Sequence, residues 1–203
     1  MNLRKAAFSA KYLTGASAAG LATSLLALLV APAFMPDSYS WVTHTTSESA
    51  AQGVEFAWIA RLGFVWFGIA VVLLCIMTWR IWNPVARTAH ASFGMLLVAA
   101  AVFSHRPWES GIPFSQTEDL LHSIAATGMG FAFATGVVVV MVSRRNTSGY
   151  LRILDALALV ASVAIPLAMM NLPEYTGLFQ RGMFLIAYVW YGMEIVRLSR
   201  REV

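Results

Sequence analysis

Three short groupings in this chain carry the residue types for acid–base or polar chemistry: Ser47-Glu48, the set Glu118, Asp119 and His122, and the pair Gln180-Arg181. A serine hydroxyl activated by an imidazole suits acyl transfer or lipid hydrolysis. Ser47 would then be the nucleophile or a polar anchor, His122 the general base, and Glu48 or Asp119 the group orienting the ring. Arg181 would neutralise a phosphate or a developing oxyanion, with Asp119, Arg106 and Gln180 as ligand-binding companions. No nucleophile-elbow or lipase signature surrounds Ser47. A second chemistry is metal-assisted hydrolysis, with His44, His105 and His122 supplying three imidazoles to zinc and leaving a place for water. These histidines are scattered singly and form no HxxxH pair.

Two further readings need no catalysis. The same groups could bind a lipid headgroup, a small solute or an ion. Against a transporter, the chain has no visible internal repeat and no glycine-broken pair of half-helices. Alternatively, Glu48, His122 and Arg181 form a buried polar clasp joining three helices. A carboxylate, an imidazole and a guanidinium at membrane depth should seek one another, within about 10 Å of a common centre, with Arg181 pairing Glu48 or Asp119. Any one loop acid, taken alone, is a solvated residue.

The elements that must position these groups are membrane helices. The chain has 203 residues, of which 59% are hydrophobic and 12% charged. Its mean hydropathy is +0.67, outside the range of a soluble globular domain. In lipid the backbone must satisfy itself, so a chain of this composition folds as helices. Six apolar runs are each long enough to cross about 30 Å of hydrocarbon. They cover roughly residues 13–34, 55–79, 88–104, 119–143, 153–172 and 182–198. The expectation is an all-α integral membrane protein, a bundle of six transmembrane helices forming one domain over residues 1–203. The basic head, apolar run and Ala31-Pro32-Ala33 of the first segment also fit a signal peptide; its length favours a retained first helix.

The fourth run is expected to be the packing centre. Gly128, Ala132 and Gly136 recur every fourth residue, a small-residue stripe that lets another helix approach closely. Glu118 and Asp119 lie four and three residues before His122, so all three can share a face at its head. Asn83-Pro84 reads as a break in a basic loop, and Pro166 as a kink in the fifth helix. Arg152–Asp155 and Glu194–Arg197 are i,i+3 pairs, expected to bond locally. Trp66, Trp190, Tyr188 and Tyr191 fall mid-helix, where a polar tip needs a partner or a cavity.

Charge sets the orientation. With the N-terminus in the cytoplasm, six crossings return the C-terminus there. Arg4, Lys5, Lys11, Arg80, Arg87, Arg144, Arg145, Arg152, Arg197, Arg200 and Arg201 then lie inside, eleven of the 14 basic residues. The pI of 9.6 is therefore a topology signal and not a nucleic-acid surface. Asp37, Glu48, Glu55, Glu109, Glu118, Asp119 and Glu174, seven of the 10 acids, gather on the outer side with His44, His105 and His122. Cys75, the single cysteine, has no intrachain partner and is expected to be a small buried hydrophobe. No phosphate loop, dinucleotide fingerprint, CxxC or haem motif appears, so no cofactor is indicated. The expected partners are membrane lipids.

The stretches YSWVTHTTSESAAQG, DLLHSIAATGMGF and GLFQRGMFLIAYVW resemble the bacterial membrane family called domain of unknown function 998. More distantly they resemble the eukaryotic Frag1/DRAM/Sfk1 group. The likeness runs from about Ser38 to Val196 and rests on Ser47-Glu48, His122 and Gln180-Arg181. It implies a six-helix fold in the bacterial inner membrane with no settled biochemistry; the distant group adds a link to lipid organisation by analogy. His44 and His105 are not features of that family.

Overall fold

A computed structural model describes residues 3–144 and 149–200, with side chains from residue 11 onward. Arg145 and Arg201, two of the residues expected on the cytoplasmic side, lie outside the described residues, as do the side chains of Arg4 and Lys5. Among the described residues the fold is helical and without strands. Six long helices follow one another: α1 (Leu3–Val30), then after the four-residue α2 (Thr46–Ser49), α3 (Ala57–Met77), α4 (Pro84–Val102), α5 (Gln116–Ser143), α6 (Gly149–Asn171) and α7 (Thr176–Ser199). Five segments are long and apolar enough to cross a membrane: Lys11–Phe34, α3, α4, α5 and α6. At 24 residues α7 has the length, but it carries Arg181, Glu194 and Arg197.

The helix boundaries have local causes. Asn83-Pro84 does not break a loop but starts α4. The Asn83 side chain accepts from Val85 N–H at 2.8 Å with proline at the first helical position, a favoured N-terminus. Ser115 caps α5 by accepting from Glu118 N–H at 3.3 Å. Pro166 sits inside α6, which continues through it.

The long helices form a closed ring: α1 packs on α3 and α7, α3 on α4, α4 on α5, α5 on α6, and α6 on α7. The packing centre is α3, not the α5 helix expected from the glycine stripe. Ala60, Phe64, Phe67, Gly68, Val71 and Leu74 of α3 are all buried. Between helices in lipid, close approach and hydrogen bonds replace the hydrophobic drive, and α3 has both. Ser17 and Ser24 of α1 donate to the Ala70 and Gly63 carbonyls at 2.8 and 2.6 Å. On the other side Gly68 and Gly94 cross backbone to backbone. A Cβ on Gly94 would stand 2.7 Å from the Gly68 carbonyl oxygen, so only glycine fits. The α5 stripe faces protein as expected: Gly136 accommodates the His90 ring of α4, whose Nε2 lies 2.5 Å from where a Cβ would be. Cys75 is buried and free.

Three of the mid-helix aromatics find partners, while Trp66 of α3 is 42% exposed. Tyr188 shares a hydrogen bond with Ser24 at 2.5 Å and stacks on Phe67 at 4.3 Å between centroids. Tyr191 bonds His90 Nδ1 at 2.8 Å. The Trp190 indole donates to Asp155 at 2.8 Å.

The bundle has two polar ends, one bearing α2 and one opposite it. At the far end, the expected local Arg152–Asp155 pair is replaced by a long-range one. Arg144, at the end of α5, lies 2.8 Å from Glu194 of α7 and 3.5 Å from Asp155 of α6. The expected Glu194–Arg197 contact is present at 3.6 Å. Arg144, Asp155 and Glu194 are all buried, so the three charges tie three helices together where a lone charge would be costly. Glu194→Ala should therefore lower stability by about 3–5 kcal/mol, the loss typical of a broken buried pair, read as a drop in melting temperature in detergent. An unchanged melting temperature would show that the cluster holds nothing.

Candidate functional site

At the α2 end, four consecutive carbonyls converge on the head of α7. Val42 and Thr43 accept from the backbone N–H groups of Leu178 and Gly177 at 2.9 and 3.1 Å. Trp41 and His44 accept from Nη1 of Arg181 at 2.7 and 2.8 Å. The first N–H groups of a helix have no intrahelical partner, and here the loop supplies them. Gly177 is required at this crossing, because a Cβ there would collide with the His44 carbonyl oxygen. Nη2 of Arg181 donates to the Tyr39 hydroxyl at 2.5 Å, and the guanidinium lies 4.7 Å from the Trp41 ring centroid. Burial raises the Tyr39 phenol above its ordinary range, against the lowering effect of Arg181 beside it. The phenol therefore stays neutral and donates onward to the Thr45 carbonyl at 2.9 Å.

Glu48 is a capping residue. Thr45 N–H donates to its carboxylate at 2.6 Å, and Glu48 N–H returns a bond to the Thr45 hydroxyl at 3.1 Å, a complete capping box at the head of α2. The pattern Thr45-Thr46-Ser47-Glu48 is the sequence signal that announces it. Gln180 receives a bond from Thr46 N–H at 2.7 Å and another from the Thr46 hydroxyl. Its amide reaches Ser47 Oγ only at 3.5 Å.

His122 takes part in a separate arrangement. Its Nδ1 lies 2.9 Å from both the Ala100 and Phe103 carbonyls, at the end of α4 where carbonyls lack helical donors. His105 stands edge-on to it, with ring centroids 5.2 Å apart, and its Nε2 is 3.9 Å from Asp119. Asp119 accepts from Arg106 N–H at 2.9 Å. His44 instead lies tilted against Trp108, with ring centroids 5.3 Å apart, and accepts from Ser40 N–H through Nδ1 at 2.8 Å. Arg61 and Gln52 escaped the sequence reading. Arg61 donates to the Ala50 and Ala51 carbonyls, both at 2.9 Å. Gln52 clamps Ser115, accepting from its N–H at 2.7 Å, and donates to the Ser104 carbonyl at 2.7 Å.

The expected groupings are thus brought together in part. Ser47, Glu48, Gln180 and Arg181 share one neighbourhood through α2 and the head of α7, and His105, Arg106, Asp119 and His122 share another. Glu48, His122 and Arg181 make no bonds to one another, so the three-way clasp is not formed. No carboxylate lies within 4.0 Å of Arg181 among the described residues. Nor is the three-histidine zinc centre assembled: among the described residues no three His, Cys, Asp or Glu side chains gather as a metal site. The reason is the same in each case. Backbone groups claim these side chains first: carbonyls take the donors of Arg181 and the His122 ring, and N–H groups take the Glu48 carboxylate and the His44 ring nitrogen.

Two crevices flank α7. One, about 580 Å³, lies among α5, α6 and α7, with Ser47 and Gln180 on its wall beside Met129, Phe131, Met170 and Phe184. The other, about 250 Å³, lies between α1 and α7 beneath Trp41 and Arg181. A third depression of about 580 Å³ is open and polar, and includes His44, Glu48, His105 and Arg106 on its rim.

No curated protein and no solved structure matches the chain. A family model does match it, over residues 10–196, which is nearly all of the ring of helices. The chain belongs to the family described as protein of unknown function (DUF998).

Proposed function

We propose that this chain crosses the bacterial inner membrane six times, with both termini in the cytoplasm, and binds a lipid-like amphiphile among α5, α6 and α7. The sixth crossing is α7. In support, its far-end charge Glu194 is matched by Arg144 at 2.8 Å, which removes most of the penalty of carrying it into lipid. The basic asymmetry orients the bundle, so the α2 end faces outward. Reporter fusions after Arg145 and Val203 should report cytoplasm, and fusions at Thr46 or Gly111 the outside. An outside report at Val203 would refute six crossings.

The observation that carries the binding assignment is the crevice of about 580 Å³. Its walls are methionine, phenylalanine, leucine and alanine, and its polar groups are few, as ligand pockets generally are. Ser47 and Gln180 mark the α2 end of the wall, so an amphiphile would put its polar part there and its chain along α5 and α6. Ser162, Val163 and Pro166 of α6 also line the space. Pro166 has no N–H to offer the Ser162 carbonyl, which leaves an acceptor in the α6 wall for a ligand hydroxyl or amide.

Binding is favoured over acyl transfer or hydrolysis by the wiring of the groups a reaction would need. Ser47 has the Gln180 amide as its polar neighbour, and His122 spends Nδ1 on two carbonyls. Ser47 and Gln180 are therefore assigned as headgroup contacts. Arg181, Glu48 and His122 build the frame that holds them, with Asp119 and Arg106 closing the loop beside it.

Gly130 gives a clean test, since it lines this crevice and a Cβ there meets nothing within 4 Å. Purified in mild detergent, the wild-type chain should retain lipid detectable by native mass spectrometry. Gly130→Phe should carry at least one bound lipid fewer per chain, at an unchanged melting temperature. Equal lipid on both proteins would remove the crevice from consideration.

A further inference from the structure

Arg181 has hydrogen-bond partners but no counter-charge. Its Nη1 and Nη2 are used by two carbonyls and a phenol. Its Nε is buried without a hydrogen-bond partner, and no carboxylate approaches within 4.0 Å among the described residues. A desolvated donor on a cation is an expensive thing to leave open. Directly beneath it, α1 and α7 part to form the crevice of about 250 Å³, with Arg181, Trp41 and Thr46 at its α2 end and Leu25, Leu28 and Leu185 along its length. The space is open: Gly182 lines it, and a Cβ there meets nothing within 4 Å. It also reaches the lipid-facing surface, because Leu29 and Leu185 on its walls are 59% and 57% exposed.

We propose that this second crevice holds one acyl chain of an anionic phospholipid whose phosphodiester is bound by Arg181. A phosphate at the crevice mouth supplies the negative charge the guanidinium lacks, and charge-assisted contacts of this kind are the strong ones. The apolar walls take the chain, and Trp41 and Tyr39 lie at the depth where an aromatic belt meets headgroups. A lysine would not serve equally, since its ammonium could not hold the Trp41 and His44 carbonyls and the phosphate in one planar fork. The site is on the opposite side of α7 from the crevice among α5, α6 and α7, and neither depends on the other being occupied.

The test uses the full chain in a neutral detergent, titrated with dioleoyl phosphatidylglycerol and separately with dioleoylglycerol, which has the same chains and no phosphate. Bound lipid is counted by native mass spectrometry. Wild-type protein should prefer the phospholipid about tenfold or more, the range of one charged hydrogen bond. Arg181→Gln should abolish that preference, and Arg181→Lys should restore only part of it. Because Arg181 also holds the loop, Gly182→Phe is the deciding variant. It fills the crevice with the guanidinium untouched, and should lose phosphatidylglycerol about tenfold at an unchanged melting temperature. Gly130→Phe, which fills the other crevice, should keep the preference, so the two sites fail separately. Equal affinity of wild-type protein for the two lipids, or wild-type binding of phosphatidylglycerol by Gly182→Phe, would overturn the proposal.

Discussion

Where water is scarce, every backbone carbonyl at a helix end or in a loop must find a donor, and the α2 end of this protein is organised by that demand. The carbonyls of residues 41–44 are met by two α7 N–H groups and by Arg181. Those of Ala50 and Ala51 are met by Arg61, and those of Ala100 and Phe103 by His122. Three side chains that could have served acid–base or anion chemistry thus act first as donors to the main chain. What remains for a ligand is what these bonds leave over: the hydroxyl of Ser47, the amide of Gln180, and the net charge of Arg181.

The far end is held differently, by charge. Arg144 bridges α7 and α6 through Glu194 and Asp155, and Trp190 braces Asp155. Helix α6 is therefore anchored near its beginning, while along its later half it lines the large crevice with Ser162, Pro166, Met169 and Met170. A bundle pinned at one end and open toward the other is consistent with the proposed lipid chain lying along α6. The head of α7, fixed by the loop carbonyls, keeps the two crevices on its flanks apart.

The sequence made the helices legible and their neighbours much less so. Apolar length marked the long segments, with α3 to α6 matching to within about four residues at each end, whereas α1 and α7 begin ten and six residues before the expected runs; the α5 stripe does face protein. That α3 is the centre was not readable, because a lipid-facing leucine and a protein-facing leucine look alike when both surroundings are apolar. Arg144 was read as a topology residue, and Asp155 was given to Arg152 three residues away, because a local pair is visible in sequence and a contact between α5 and α6 is not. Glu48 was read as a clasp or catalytic group although Thr45-x-x-Glu48 spells a capping box. A shared position at helix heads does not fix azimuth: His122 is turned toward the end of α4, and Arg181 toward the loop before α2.

The central claim is that the bundle is built around space for lipid beside α7, and a structure by electron cryomicroscopy in phospholipid nanodiscs tests it most directly. The account predicts elongated, chain-like density running from Ser47 and Gln180 along α5 and α6, with α6 standing off α7 as it does here. Helix α6 closed down on α5 and α7, with side chains filling the gap and no density between them, would contradict it.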